Sequence, residues 1–358
     1  MHYNRHIPPE REAMLFCRVR LSILVMCLVT GSSVWLTAQP QDPTAPASAP
    51  QQQAPPADQE PLETFKAQVN VVNLFFNVKD KHGMLIPNLT KDDFQVFEDG
   101  KPQTIKYFSA ESNQPLTLGI MIDTSASQTR VLTIEQESCA EFLREVLRQK
   151  DLAFVINFDV DVNLDQDFTN NVRDLTRALN KMQINAGMGG GPPGLGGGPI
   201  PTTPRGTLLY DAIYLGADEK LKSEVGRKAM IIFTDGEDQG SRLKIHDAIE
   251  AAQKADTICY VILIADRGFY GGFGYSGDYD MKKLAEATGG RVIEVGNKQD
   301  KLRQAFEQIQ NELRSQYNIG YTPTNTKLDG TYRKIQIHTK SGDYKVQARQ
   351  GYYAMAKD

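Results

Sequence analysis

The chain has 358 residues, 40% hydrophobic and 23% charged, which excludes a fibrous or wholly disordered protein and leaves room for one α/β domain of about 200 residues with a smaller companion. Forty Lys and Arg against 44 Asp and Glu give a net charge of −4, so no basic excess offsets phosphates and a nucleic-acid partner is disfavoured. Five His and four Cys, none clustered at ligand spacing, argue against a zinc or haem centre, and any metal should be a hard cation held by oxygen.

Arg18 and Arg20 precede an apolar run over 21–29. Gly31, Ser32 and Ser33 follow, and the stretch closes on Leu36-Thr37-Ala38. This order is that of a secretory signal, residues 1–38, cleaved after Ala38. The alternative is an uncleaved membrane anchor, since 21–38 is just long enough to span a bilayer. Met26 before Cys27 is too large for a lipoprotein signal. The expected address is therefore periplasmic or extracellular, with membrane contact only through an uncleaved anchor. Residues 39–62 are rich in Pro, Ala and Gln and cannot bury a core, which predicts a disordered linker, either a tether or an unfolded leader.

Residues 63–112 read as an N-terminal β segment, with strands near 69–78, 94–97 and 105–108 and turns at Asp80-Lys81-His82-Gly83 and Asp99-Gly100. The continuous apolar run 116–122 then marks a strand buried on both faces. Helix 134–148, strand 152–158, an edge strand near Val162 and helix 172–182 follow. Beyond the Gly/Pro-rich 186–205 come helix 208–221, strand 229–233, helix 245–254, strand 258–265, helix 281–287, strand 291–295 and helix 301–316. This alternation predicts a doubly wound, mainly parallel α/β sheet. Residues 317–358 return to β, with strands at 317–321, 332–338 and 344–348. Both chain ends are expected to build one small β domain around the inserted 115–316.

The first buried strand ends on Asp123-Thr124-Ser125-Ala126-Ser127, a D-x-S-x-S motif, and the 229–233 strand ends on Thr234-Asp235-Gly236. In a doubly wound sheet, ligands bind beyond the carboxyl ends of strands where the order reverses. If the strand order is 3-2-1-4-5-6, strands one and four are neighbours there, and Asp123 and Asp235 share that crevice, with Thr207 arriving from the loop above. Carboxylate and hydroxyl oxygens suit Mg²⁺ or a similar hard ion, Mn²⁺ or Ca²⁺. If the hydroxyls contact the ion directly, it keeps positive charge and attracts an acid from a partner protein. D-x-S-x-S alone is a weak signal, because Asp and Ser also serve caps and turns. Thr207 alternatively caps the helix after it, with Thr202 and Thr203 as substitutes.

With these pieces in this order, 115–316 resembles the von Willebrand factor type A (VWA) family, whose metal-ion-dependent adhesion site joins D-x-S-x-S to a distant Thr and Asp. The resemblance implies metal coordination by Asp123, Ser125, Ser127, Thr207 and Asp235, and a non-enzymatic module that binds a partner carboxylate through the ion. The flanking LTKDDFQVFEDGKPQTI and QYNIGYTP…GYYA are similar to a secreted bacterial subgroup found particularly in acidobacteria.

Several other features compete for attention. The G-x-G-x-x-G at 272–277 starts too far beyond its strand for a dinucleotide fingerprint, and 187–198 lacks the Lys-Ser/Thr end of a phosphate loop. Phe269, Tyr270, Phe273, Tyr275 and Tyr279, predicted on the metal-bearing edge, suit partner recognition or a cluster folding the loop on itself. Cys139 and Cys259 remain after processing, as small buried residues or a disulfide. Two rival functions are a structural module whose ion only fastens loops, and a metal-dependent hydrolase, for which Glu237 and Asp238 are the nearest spare acids.

Overall fold

A computed structural model describes residues 71–110, 114–185, 206–264, 277–296 and 298–355. The expected signal segment 1–38 and linker 39–62, the Gly/Pro-rich 186–205 and the aromatic-containing 265–276 lie outside these. In chain order the elements are β1 (Val72–Lys79), β2 (Phe94–Glu98), β3 (Lys101–Gln103), β4 (Ile105–Ser109), β5 (Leu116–Asp123), α1 (Leu132–Val146), β6 (Leu152–Phe158) and β7 (Val162–Thr169). There follow α2 (Val172–Lys181), α3 (Leu209–Leu215), β8 (Arg227–Thr234), α4 (Ile245–Lys254), β9 (Thr257–Leu263), α5 (Gly277–Thr288), β10 (Arg291–Glu294) and α6 (Gln299–Arg314). The last strands are β11 (Tyr317–Tyr321), β12 (Tyr332–Thr339), β13 (Lys345–Ala348) and β14 (Gly351–Tyr353).

The central sheet runs β10-β9-β8-β5-β6-β7, the expected order read from the other edge. Its pairings are parallel except β6 with β7, which makes the strand near Val162 an antiparallel edge. Every residue of β5 and β8 is buried, as continuous apolar runs in a doubly covered sheet require. Alternate side chains separate the two faces. Leu118, Ile120 and Ile122 pack with α1, α2 and α6, whereas Met121 packs with α3, α4 and α5. In α6 the residues Leu302, Phe306, Ile309 and Leu313 recur at helical spacing along the covered face.

The chain ends share two four-stranded sheets, β13-β1-β11-β4 and β14-β12-β2-β3. Leu74, Phe76, Phe94, Val96, Tyr317, Ile319, Ile335 and Ile337 form the core between them. Both flanks of the α/β region thus contribute strands to these two sheets. A polar clamp joins the first of them to the α/β region: Glu312 of α6 lies 2.9 Å from Lys79 Nζ and 2.8 Å from Arg291 Nε, and accepts from Gln347 Nε2 at 3.0 Å.

Several boundaries move from expectation. β8 starts at Arg227, where the guanidinium donates to the Gln114 carbonyl at 3.1 Å and lets two basic residues enter a buried strand. α3 ends at Leu215 and continues as a π-helical turn, Gly216–Leu221. α5 begins at Gly277, with Asp278 and Asp280 in its first turn, where acids favour a helix start without any apolar periodicity. Cys139 and Cys259 are both free and buried, in the cores on opposite faces of the sheet, so the disulfide alternative is set aside.

Candidate functional site

The parallel register sets Ile122 opposite Phe233, which brings Asp123 and Thr234 abreast at the carboxyl ends of β5 and β8. Thr234 Oγ1 donates to Asp123 Oδ2 at 2.9 Å. The other carboxylate oxygen, Oδ1, accepts the Ser125 amide at 2.9 Å, a short Asx-type turn that directs the chain into the serines. Ser125 Oγ and Ser127 Oγ stand 3.0 Å apart. Beyond Thr234, Asp235 Oδ1 accepts the Glu237 amide at 3.1 Å, and Gly236 takes φ +87°, a left-handed turn that suits glycine.

Asp123 is fully buried and Asp235 nearly so. Burial, and then the charge of Asp235, push the Asp123 carboxyl up to about 7. Facing acids held this way, beside two hydroxyls, form an all-oxygen donor set of the kind that suits a hard divalent ion, whose charge would offset theirs. Among the described residues no three His, Cys, Asp or Glu side chains converge to hold a metal. An ion here would therefore draw on Ser125 and Ser127 as well as on the aspartates.

Thr207 is buried and pairs both backbone groups with Gln239, at 3.2 and 3.0 Å, on the loop that follows Asp235. A Cβ at Gly206 would meet the Gln239 carbonyl oxygen at 2.7 Å, so glycine permits this close approach. The next amide, Leu208, donates to Asp159 O at 2.8 Å. Capping of the following helix falls to other residues. Asp238 Oδ1 and Ser241 Oγ each accept the Tyr210 amide at 3.1 Å. Thr202 and Thr203 lie outside the described residues.

The other spare acid, Glu237, accepts the Gly277 amide at 3.1 Å. Glu237 and Asp238 thus bind the loop to the starts of α5 and α3. The partner-binding candidates Phe269, Tyr270, Phe273 and Tyr275 lie outside the described residues. Tyr279, on the first turn of α5, is 73% exposed. A cavity of about 1240 Å³ opens at the opposite strand ends, beside Arg227, Thr257 and Arg349.

Sequence reasoning missed four residues here. Asp159, just after β6, accepts the Thr124 hydroxyl at 2.8 Å and the Asn185 side-chain amide at 3.3 Å. Its place directly after a buried strand, like that of Asp123, was the available signal. Thr234 is marked in the sequence only as the first residue of the Thr234-Asp235-Gly236 stretch at the end of its strand. Gln128 and Glu135 are each 1% exposed, and nothing in the local pattern marks them.

No family model matches the chain, and no curated protein does. Similar solved structures include the BatB protein from Bacteroides thetaiotaomicron, at 17% identity and TM-score 0.41 over 55% of this chain and 98% of that one. Another is an aerotolerance-related membrane protein from Bacteroides fragilis, at 16% identity and TM-score 0.40 over 55% and 99%. A third is the SpRpn10 VWA domain, at 10% identity and TM-score 0.37 over 55% and 95%. At such scores these likenesses carry no functional inference. Among the described residues no helix is long and apolar enough to cross a membrane.

Proposed function

We propose that the chain is an exported, non-enzymatic binding module of VWA type. In this reading Asp123, Ser125, Ser127, Thr207 and Asp235 hold a divalent cation, Mg²⁺ or else Mn²⁺ or Ca²⁺. The cation keeps a coordination position for a carboxylate of a partner protein. The observation that carries the reading is the burial of Asp123 against the charge of Asp235, at the sheet's point of reversal, beside two serine hydroxyls 3.0 Å apart. Exposed acids would tolerate each other through water. Buried ones call for a counter-charge, and neutral hydroxyl ligands leave that counter-charge partly unspent for an incoming acid.

A hydrolytic role would need a base beside a bound water. Glu237 and Asp238, the nearest candidates, are occupied with the amides of Gly277 and Tyr210. Their engagement supports binding over catalysis.

Titration calorimetry of the full chain with Mg²⁺ should give a saturable heat that Asp123→Ala abolishes while the variant keeps its circular dichroism spectrum. Immobilised protein should then retain, from an envelope extract, proteins released by EDTA, and the Asp123→Ala form should not. Absence of heat from Mg²⁺, Mn²⁺ and Ca²⁺ alike refutes the reading. An ion that raises the melting temperature but supports no EDTA-sensitive capture assigns it to loop fastening alone.

A further inference from the structure

Glu135 lies in the first turn of α1, on the face turned to the sheet, between the buried Leu132 and Cys139. It is 1% exposed, and among the described residues neither of its carboxylate oxygens has a hydrogen-bond partner. Buried polar atoms are paired in the great majority of cases, so two orphaned oxygens on one side chain require a reason. The charges that act on it are those of Asp123, at the end of β5, and Asp235, just past the end of β8. Burial first, and then these two charges, hold its carboxyl well above the usual range. Nearby, Gln128 is equally buried, points its amide nitrogen at Ser127 Oγ at 3.5 Å, and leaves Oε1 without a partner. Among the described residues, Gln128, next to the D-x-S-x-S segment, and Glu135 of α1 together carry three buried acceptor oxygens with no donor. A leucine or methionine at 135 would pack against this sheet at lower cost than an acid.

We propose that Glu135 is the third acid of the candidate ion site, a positioning residue that favours a divalent cation in the Asp123–Asp235 crevice from the α1 side. It rests on the ion-binding reading and adds to it a group outside the five expected ligands. Among the described residues no three acids converge, which makes its action one of charge and of hydrogen bonds received from ion-bound water rather than of direct coordination. With the aspartates neutralised by a cation, the same carboxyl faces attraction where it now faces repulsion. Groups of this kind, placed behind a metal's ligands, typically change affinity by about tenfold to a hundredfold.

The test compares Mg²⁺ affinity by calorimetry with the melting temperature in EDTA, on the full chain, for wild type, Glu135→Gln and Glu135→Met. The methionine form fills the site with an apolar side chain of similar volume, should the glutamine form not fold. The expected result is a Mg²⁺ affinity weakened by about ten- to a hundredfold, with an EDTA melting temperature equal to or above that of wild type. Variants that bind Mg²⁺ as tightly as wild type overturn the assignment and leave the ion site standing. A lowered EDTA melting temperature at unchanged affinity also overturns it, in favour of a packing role. A wild-type chain that takes up no Mg²⁺ overturns both the assignment and the reading beneath it.

Discussion

The Thr234 hydroxyl donates to Asp123 Oδ2 at 2.9 Å and accepts the Gly236 amide at 3.0 Å. One short side chain thereby orients a carboxylate on β5 and the turn that carries Asp235 on β8. Thr234→Val keeps the shape and removes both bonds. It should lower stability by about 1–3 kcal/mol, the cost of leaving buried polar groups unpaired, as read from urea unfolding. Mg²⁺ affinity should fall by roughly tenfold or more, because the ligand loses its orientation. Thr234→Ser should restore most of both, and a valine variant with wild-type affinity would show that the bond orients nothing.

Asp123→Asn separates the cost of charge from its use. In EDTA the substitution removes one of two facing buried charges while keeping an oxygen for the Ser125 amide. The variant should melt at or above the wild-type temperature in EDTA. With the ion bound as proposed, Mg²⁺ should raise the melting temperature of the wild type, because it binds the native state, and the variant should lose that rise. Scanning calorimetry with and without Mg²⁺ checks both. A variant that melts lower in EDTA yet responds fully to Mg²⁺ contradicts the account of this pair.

Much of this fold was legible in the sequence because hydrophobic burial writes itself into local pattern. The doubly covered β5 appears as an unbroken apolar run, and α4 and β6 have the bounds that their periodicity predicted. The D-x-S-x-S motif was visible because Asp123, Ser125 and Ser127 act within one turn. Features that depend on distant partners were not visible. Arg227 looks like a loop residue until the Gln114 carbonyl is beside it. The role of Thr207 stayed open because the residues that cap the following helix, Asp238 and Ser241, come about thirty positions later. Glu135 is a glutamate on a helix, the ordinary signature of a solvated surface. Only the packed structure puts its carboxylate inside.

Gly236 combines a left-handed φ of +87° with close contact to α5: a Cβ there would lie 2.9 Å from the Gly277 carbonyl carbon. Gly236→Ala should therefore cost more than the roughly 1–2 kcal/mol of placing an L-residue in that region, since the α5 start must also move. The shift acts on the residue next to Asp235, so Mg²⁺ affinity should fall together with the urea midpoint. An alanine variant with both values unchanged would mean that the turn accommodates a side chain and does not hold the site.

Glu312 gives a contrasting case, a buried charge whose partners are present. Its side chain is 3% exposed, with Lys79 of the β domain and Arg291 of the α/β domain at 2.9 and 2.8 Å, and Gln347 Nε2 at 3.0 Å. Burial first, and then Arg291 and Lys345, keep the Lys79 ammonium's pKa below its usual value although Glu312 raises it, so the pair carries a real desolvation cost. Glu312→Gln leaves two cations facing each other with no anion between them. Removing one partner of a fully buried pair costs about 3–5 kcal/mol. Because the cations here are partly solvated, with Lys79 at 13% and Arg291 at 31% side-chain exposure, a smaller loss is expected, on the order of 2 kcal/mol. Adding Lys79→Met to Glu312→Gln should recover part of that loss, since it removes one of the stranded charges. The urea midpoints of the two single variants and the double variant measure the coupling as a thermodynamic cycle. Mg²⁺ affinity should not move in any of them, because the clamp joins the two domains without touching the ends of β5 and β8. Equal, additive losses from the single variants would show that Glu312 and Lys79 are neighbours without interaction.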